Sequence, residues 1–198
     1  FLTLIAVARQ LGPEKYGSVN AAVAYIGLFS FLKLPGFDKV YVREASWHEE
    51  IEEHYYERLL GWKIVIALAG IVAALAALPF LSFTGPEKVA VALFSTTLLS
   101  QSVASLMGAV FQAHEDMKWV ALTNLVRQTG YIVIAVGFLY LFGLDSIEAI
   151  AGALTLPYWI GLATAVLAGR AYVPHPFRAA FGMLPRDFTV SGIIFSAQ

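Results

Sequence analysis

Residues 8–43 read ARQLGPEKYGSVNAAVAYIGLFSFLKLPGFDKVYVR. A polar turn opens the stretch, an apolar run follows, and Lys39 and Arg43 close it. Only Lys33 and the Pro35–Gly36 pair interrupt the run. A bilayer's hydrocarbon core is about 30 Å thick, and roughly 20 mostly apolar residues cross it as a helix. The run has that length, yet it keeps a charge and a helix breaker in one half. Lipid accepts such a helix only where the charge faces protein or a wet cavity.

The rest of the chain repeats the pattern. Hydrophobic residues make up 59% and charged residues 14%, with a mean hydropathy of +0.70. A soluble domain carries about 25% charged residues. The apolar excess lies in blocks with short polar connections between them, which predicts an all-α, polytopic transmembrane helix bundle. The apolar–polar alternation of an outer-membrane barrel is missing. A net charge of −1 gives no reason to expect nucleic acid as a partner, and the absence of cysteine excludes disulfides and thiolate chemistry. There is no nucleophile elbow, phosphate-cradling glycine loop or paired catalytic carboxylate, so neither an enzyme nor a cofactor is expected. His48 and Glu52 are four apart, as are Glu50 and His54, but no recognisable zinc-ligand motif contains them.

In chain order, Phe1–Leu11 reads as the end of a first spanning helix whose start is cut away. The chain opens inside one apolar run and stops at Gln198 as another begins, which suggests a piece of a longer protein. A second helix is expected over Tyr16–Tyr41, kinked at Pro35. EASWHEEIEEHYYERLL (44–60) places Ile51, Tyr55, Leu59 and Trp62 at helical spacing among six glutamates, which predicts a short amphipathic helix on the membrane surface. Further spans are expected over Leu60–Leu81, Val89–Ala113, Trp119–Phe142 and Ile147–Ala168, the last with Pro157 inside. Residues 1–186 then form a six-helix lobe, and residues 187–198 begin a seventh helix.

Loop lysines and arginines set the orientation. One side collects Lys39, Arg43, Arg58, Lys63, Lys118, Arg170, Arg178 and Arg186; the other holds Arg9, Lys15 and Lys88. The asymmetry puts the start of helix one in the cytoplasm of a multi-pass cell-membrane protein.

Lys33 and Arg127 are the ionisable groups within spans. Either they line a path for an anionic cargo such as a phosphate group, or they snorkel to the nearer interface. Helix four carries Thr97, Gln101, Ser105, Gly108 and Gln112 at three- or four-residue steps, and helix five carries Asn124, Arg127, Gln128 and Tyr131. Both stripes suit helix packing, and both also suit the wall of a water-lined cavity.

ARQLGPEKYG (8–17) before an apolar helix, then PGFDKVYVREA (35–45), resembles the polysaccharide biosynthesis proteins, the oligosaccharide-lipid flippases. FQAHEDMKW (111–119) and MLPRDFTVSG (183–192) echo the same family, whose superfamily includes multidrug and toxin extrusion transporters and lipid II flippases. The resemblance implies two six-helix lobes around a central cavity. Its implied cargo is a polyprenyl-pyrophosphate-linked glycan, moved across the membrane by alternating access. Its partners would be membrane lipid and glycan-assembly proteins. Arg9 and Arg43 fall in the matching motifs and join Lys33, Arg127, Asn124 and Gln128 as candidate substrate contacts. Arg9 could equally cap helix one, and Arg43 could simply follow the positive-inside bias. Asp38 has two readings, as partner of a basic neighbour or as a cytoplasm-facing group. Two other functions compete. A cation-coupled multidrug exporter needs an acidic group in the membrane, and the middles of the expected spans lack one. A non-transporting scaffold would dock partners on the glutamate-rich surface helix.

Overall fold

The computed structural model describes residues 2–33, 35–47, 52–142, 146–173 and 175–180. Among them lie six α-helices: α1 Leu2–Gly27, α2 Pro35–Trp47, α3 Glu52–Ala77, α4 Gly85–Ala113, α5 Met117–Phe142 and α6 Ile147–Gly169. His54–Phe80, Gly85–Ala113 and Ile147–Gly169 are each long and apolar enough to cross a bilayer. The part of α1 from Gly12 and the segment Ser30–Trp47, bent by 49°, pass the same test only together, as a broken span or a re-entrant pair.

α1 changes course at Gly12, whose φ of 76° is left-handed and suits a residue without Cβ. Pro13 follows, where a helix start needs no backbone N–H. The next break is wider than a kink. α1 stops at Gly27, a 3₁₀ turn covers Ser30–Lys33, and α2 starts at Pro35. Proline has no N–H to donate and disfavours α geometry in the residue before it, so the helix restarts on it.

The expected surface helix over 44–60 does not form as a separate element. Glu44–Trp47 ends α2, and α3 begins at Glu52 and runs directly into its span. Residue Ile51 lies outside the described residues. The buried face of α3 is Tyr56, Leu59, Leu60, Lys63, Ala67 and Ala74; of the expected row Leu59 belongs to it, Tyr55 is half-buried and Trp62 is exposed. The sequence period was right for a helix but the phase was set by packing. Tertiary contacts with α2 and α4 chose the face that buries the charge. The expected seventh helix also falls outside the described residues.

α4 is the central rod. It packs on α6, α3, α2 and α1, while α5 leans mainly on α6. Because α6 separates α5 from much of α4, a gap stays open between those two helices. The core divides into two apolar layers. One gathers Tyr41, Tyr56, Leu60, Leu106, Val110 and Phe111 near the α4–α5 turn. The other gathers Val19, Ile26, Ala74, Val91, Phe94 and Leu154 near the start of α4. Between them, at the middle of α4, lie Gln101, Ser102 and Ser105. α3 turns Val65, Leu68 and Val72 outward, as a helix apolar all round does in lipid.

The turn between α4 and α5 closes with Asp116 N–H donating to Phe111 O at 2.9 Å and Glu115 N–H to Gln112 O at 3.1 Å. This is the pairing of a Schellman end. Asp116 then holds the segment that leaves α6. Tyr172 donates its hydroxyl to Asp116 Oδ2, and Lys118 pairs with the same oxygen at 3.0 Å. Farther on, Tyr56 donates to Pro176 O at 2.8 Å and Arg178 pairs with Glu57 at 3.1 Å. Residues 172, 176 and 178 are thereby clasped to α3 and to the α4–α5 turn.

The clasp has a defined pH window. The Tyr172 hydroxyl, then Lys118, holds the Asp116 carboxyl below its ordinary value, and the same bond pushes the Tyr172 phenol up. The carboxylate contributes fully above its unfolded value, about 3.9, and the contribution is lost as pH falls through the lower folded value. The phenol contributes below its unfolded value, about 10, and fails as pH rises through the higher folded one. Hydrogen-exchange protection of residues 170–173 should therefore be flat from about pH 5 to 9, drop below about 4, and drop again above about 10. Asp116→Asn should weaken protection across the whole range. Equal protection in the variant and the parent would refute the assignment.

Candidate functional site

The gap between α4 and α5 is a cavity of 470 Å³. One wall is the α4 stripe Gln101, Ser105, Gly108 and Gln112; the facing wall is Thr123, Asn124 and Arg127 of α5, with Tyr158 and Gly161 of α6 behind. Lys33, Asp38 and Lys39 reach it from the broken span. From Gln112 to Gln101 the helix rises about 17 Å, so the cavity reaches roughly halfway through a 30 Å hydrocarbon layer. We refer to it as the vestibule.

Each charge has a structural reason for its place. Lys33 ends the 3₁₀ turn and donates to Gln101 Oε1 at 2.7 Å. Arg127 donates to Asn124 Oδ1 at 3.1 Å, one helical turn back, and its guanidinium lies 5.8 Å from the Tyr158 ring centroid, within cation–π range. Its stem runs across Gly161, where an added Cβ would come within 3.3 Å of Arg127 Cβ. Lys33 and Arg127 line the same cavity. Two cations held together in a weakly polarisable interior favour an anion between them.

The acidic residue of the vestibule, Asp38, is already engaged. Lys63 of α3, wholly buried, stands 2.7 Å from Asp38 Oδ1 and donates to Asp38 Oδ2 at 2.9 Å. It also donates to Ser105 Oγ at 2.9 Å and to the Lys33 carbonyl at 3.0 Å. That carbonyl belongs to the last residue of the 3₁₀ turn, at the break between α1 and α2. One ammonium thus ties the 3₁₀ turn and the start of α2 to α3 and α4. Lys63 is not the loop cation that its place near a span end suggests, so it leaves the positive-inside count. Of the two readings of Asp38, pairing with a basic neighbour is the one the structure shows.

The sequence candidates separate clearly. Lys33, Arg127 and Asn124 meet in the vestibule, whereas Gln128 is exposed and not among its lining residues. Arg43 is exposed and pairs with Glu44 at 2.7 Å, also apart from the lining. The side chain of Arg9 lies outside the described residues. Lys39, Thr123, Tyr158 and Gly161 join the site without having been candidates. The α4 stripe gave a signal for this, since its polar members step in register along one face.

Gly161→Leu tests how Arg127 is held. The larger side chain must displace the arginine stem, so binding of an anionic ligand should fall roughly tenfold, the equivalent of one charge-assisted hydrogen bond. Gly108 lines the same cavity with nothing within 4 Å of an added Cβ. Gly108→Ala should keep affinity within about twofold. Similar losses in both variants would show that the position of the arginine stem is irrelevant.

A family model described as polysaccharide biosynthesis protein matches residues 1–196. The chain belongs to that family. No curated protein matches it. Among solved structures, this family chain is similar to one titled "Crystal structure of MATE in the bent conformation", with a TM-score of 0.70 at 14% identity. The likeness covers 98% of this chain and 48% of the other, so the chain spans about half that protein's length. At this identity the match speaks for the fold, an all-α membrane bundle. Family and fold together make it a multi-pass membrane protein.

Proposed function

We propose that the chain forms one lobe of a transporter that flips lipid-linked oligosaccharide or polysaccharide precursors, of the polyprenyl-pyrophosphate type, by alternating access. In this reading residues 1–186 form the lobe and 187–198 lead to a second one. The α4–α5 end faces the cytoplasm of a cell membrane, and the glycan-assembly proteins that load the cargo work there. The carrying observation is the vestibule's charge: Lys33, Lys39 and Arg127 line it, and its carboxylate is neutralised by Lys63. A pyrophosphate cannot enter hydrocarbon unaided, while a half-depth cationic cleft beside lipid receives the headgroup and leaves the tail outside. Rocking one lobe against another then changes the side to which the cleft opens.

The test varies the cargo's charge. Full-length protein in proteoliposomes is given two fluorescent polyprenyl glycans, one linked through pyrophosphate and one through a neutral ether. Translocation of the first and not the second is the expected result. Equal translocation of both would refute the headgroup assignment.

A second reading, cation-coupled multidrug export, is favoured by the fold likeness and by Asp38 lining the vestibule. The ion pair with Lys63 weighs against it, because an engaged carboxylate offers a cationic drug little attraction. Dye efflux driven by a cation gradient would favour this reading over flipping.

A further inference from the structure

Deeper than the vestibule lies a second cavity of 170 Å³. Lys33, Gln101 and Tyr158 line both cavities, so the inner chamber begins where the cationic site ends. A cavity of about 150 Å³ holds one benzene-sized ring, so the chamber has room for a single six-membered ring. Its walls combine two chemistries. Val23, Ile26, Phe94, Leu98 and Leu154 are apolar. Ser30, Tyr131 and Tyr158 bring hydroxyl groups that make no hydrogen bond among the described residues.

We propose that this chamber is a saccharide subsite, which takes the sugar ring attached directly to the cargo's phosphate. The proposal rests on the reading above and names the part of the cargo that the chamber recognises. A sugar ring shows C–H faces to aromatic and aliphatic walls and hydroxyls to polar groups at its edge. The chamber supplies both. A sugar 1-phosphate also places its ring one bond from the anion, matching a chamber that shares Lys33 with the vestibule. A prenyl tail is the poorer occupant. It would leave three hydroxyls without partners.

The experiment measures binding to the full-length protein of two probes, polyprenyl pyrophosphate and the same lipid bearing one hexose. Gly27 lines the chamber, and an added Cβ there meets nothing within 4 Å. Gly27→Leu therefore fills the chamber without forcing the backbone. The expected result is a loss of at least about tenfold for the hexose probe, one lost ring contact set, with bare pyrophosphate lipid unchanged. Tyr131→Phe, which removes only a hydroxyl, should weaken the hexose probe about two- to tenfold. Loss of both probes together in Gly27→Leu would show that the chamber holds the tail and overturn the saccharide assignment. No change in either probe would overturn it as well. Failure of the parent protein to bind the bare lipid would instead overturn the flippase reading, and the subsite with it.

Discussion

Lys63→Met is expected to lower the unfolding free energy by about 3–5 kcal/mol, the range seen when one partner of a buried ion pair is removed. The lysine is fully buried and Asp38 is 16% exposed. Methionine fills the volume but leaves a mostly buried carboxylate at the vestibule wall without its counter-charge. It also leaves the Lys33 carbonyl of the helix break without its donor. Combining Lys63→Met with Asp38→Asn should restore most of the loss. The buried charge is then gone, and about 1 kcal/mol remains for the uncapped carbonyl. Chemical unfolding of the detergent-solubilised variants measures both. A single variant within about 0.5 kcal/mol of the parent would contradict the arrangement described for the pair.

The second large effect concerns cargo. A hydrogen bond to a charged group contributes about 1.5–3 kcal/mol, so Lys33→Ala or Arg127→Ala should each weaken a pyrophosphate headgroup roughly 10- to 100-fold. The double variant should lose transport altogether at ordinary substrate levels while still inserting and folding. Arg127→Lys keeps the charge but not the planar fork, and should recover only part of the affinity. Arg43→Ala provides the contrast. Its guanidinium is solvent-exposed and bound to Glu44, so its removal should leave transport within about twofold. If Arg43→Ala is as damaging as Arg127→Ala, the vestibule is not the headgroup site.

Much of the bundle could be read from composition and block length alone. The expected spans Val89–Ala113 and Ile147–Ala168 each differ from α4 and α6 at one end only, the first starting within Gly85–Ala113 and the second stopping just short of Gly169. Hydrocarbon thickness fixes helix length strongly, and turn residues such as Gly12 and Pro13 mark the ends. What escaped was phase and partnership. The 44–60 segment has a real helical period, but which side turns inward depends on neighbours that local sequence does not contain. Lys63 reads as an interfacial cation because it stands in the first turn of the expected Leu60–Leu81 span. Only the approach of α2 and α4 shows that it is buried. The polar stripe of α4 was visible, yet whether it faced a helix or a cleft turned on α6 standing between α4 and α5.

The Asp38–Lys63 bond joins residues 25 positions apart, and that spacing bears on how the protein is made. On a translating ribosome the broken span emerges first, with a carboxylate that the bilayer interior rejects. Its neutralising ammonium arrives only with the following span. The two are therefore expected to leave the translocon together as a hairpin. A nascent chain halted before Lys63 should stay accessible to aqueous labels at Asp38, and elongation past α3 should shut that access.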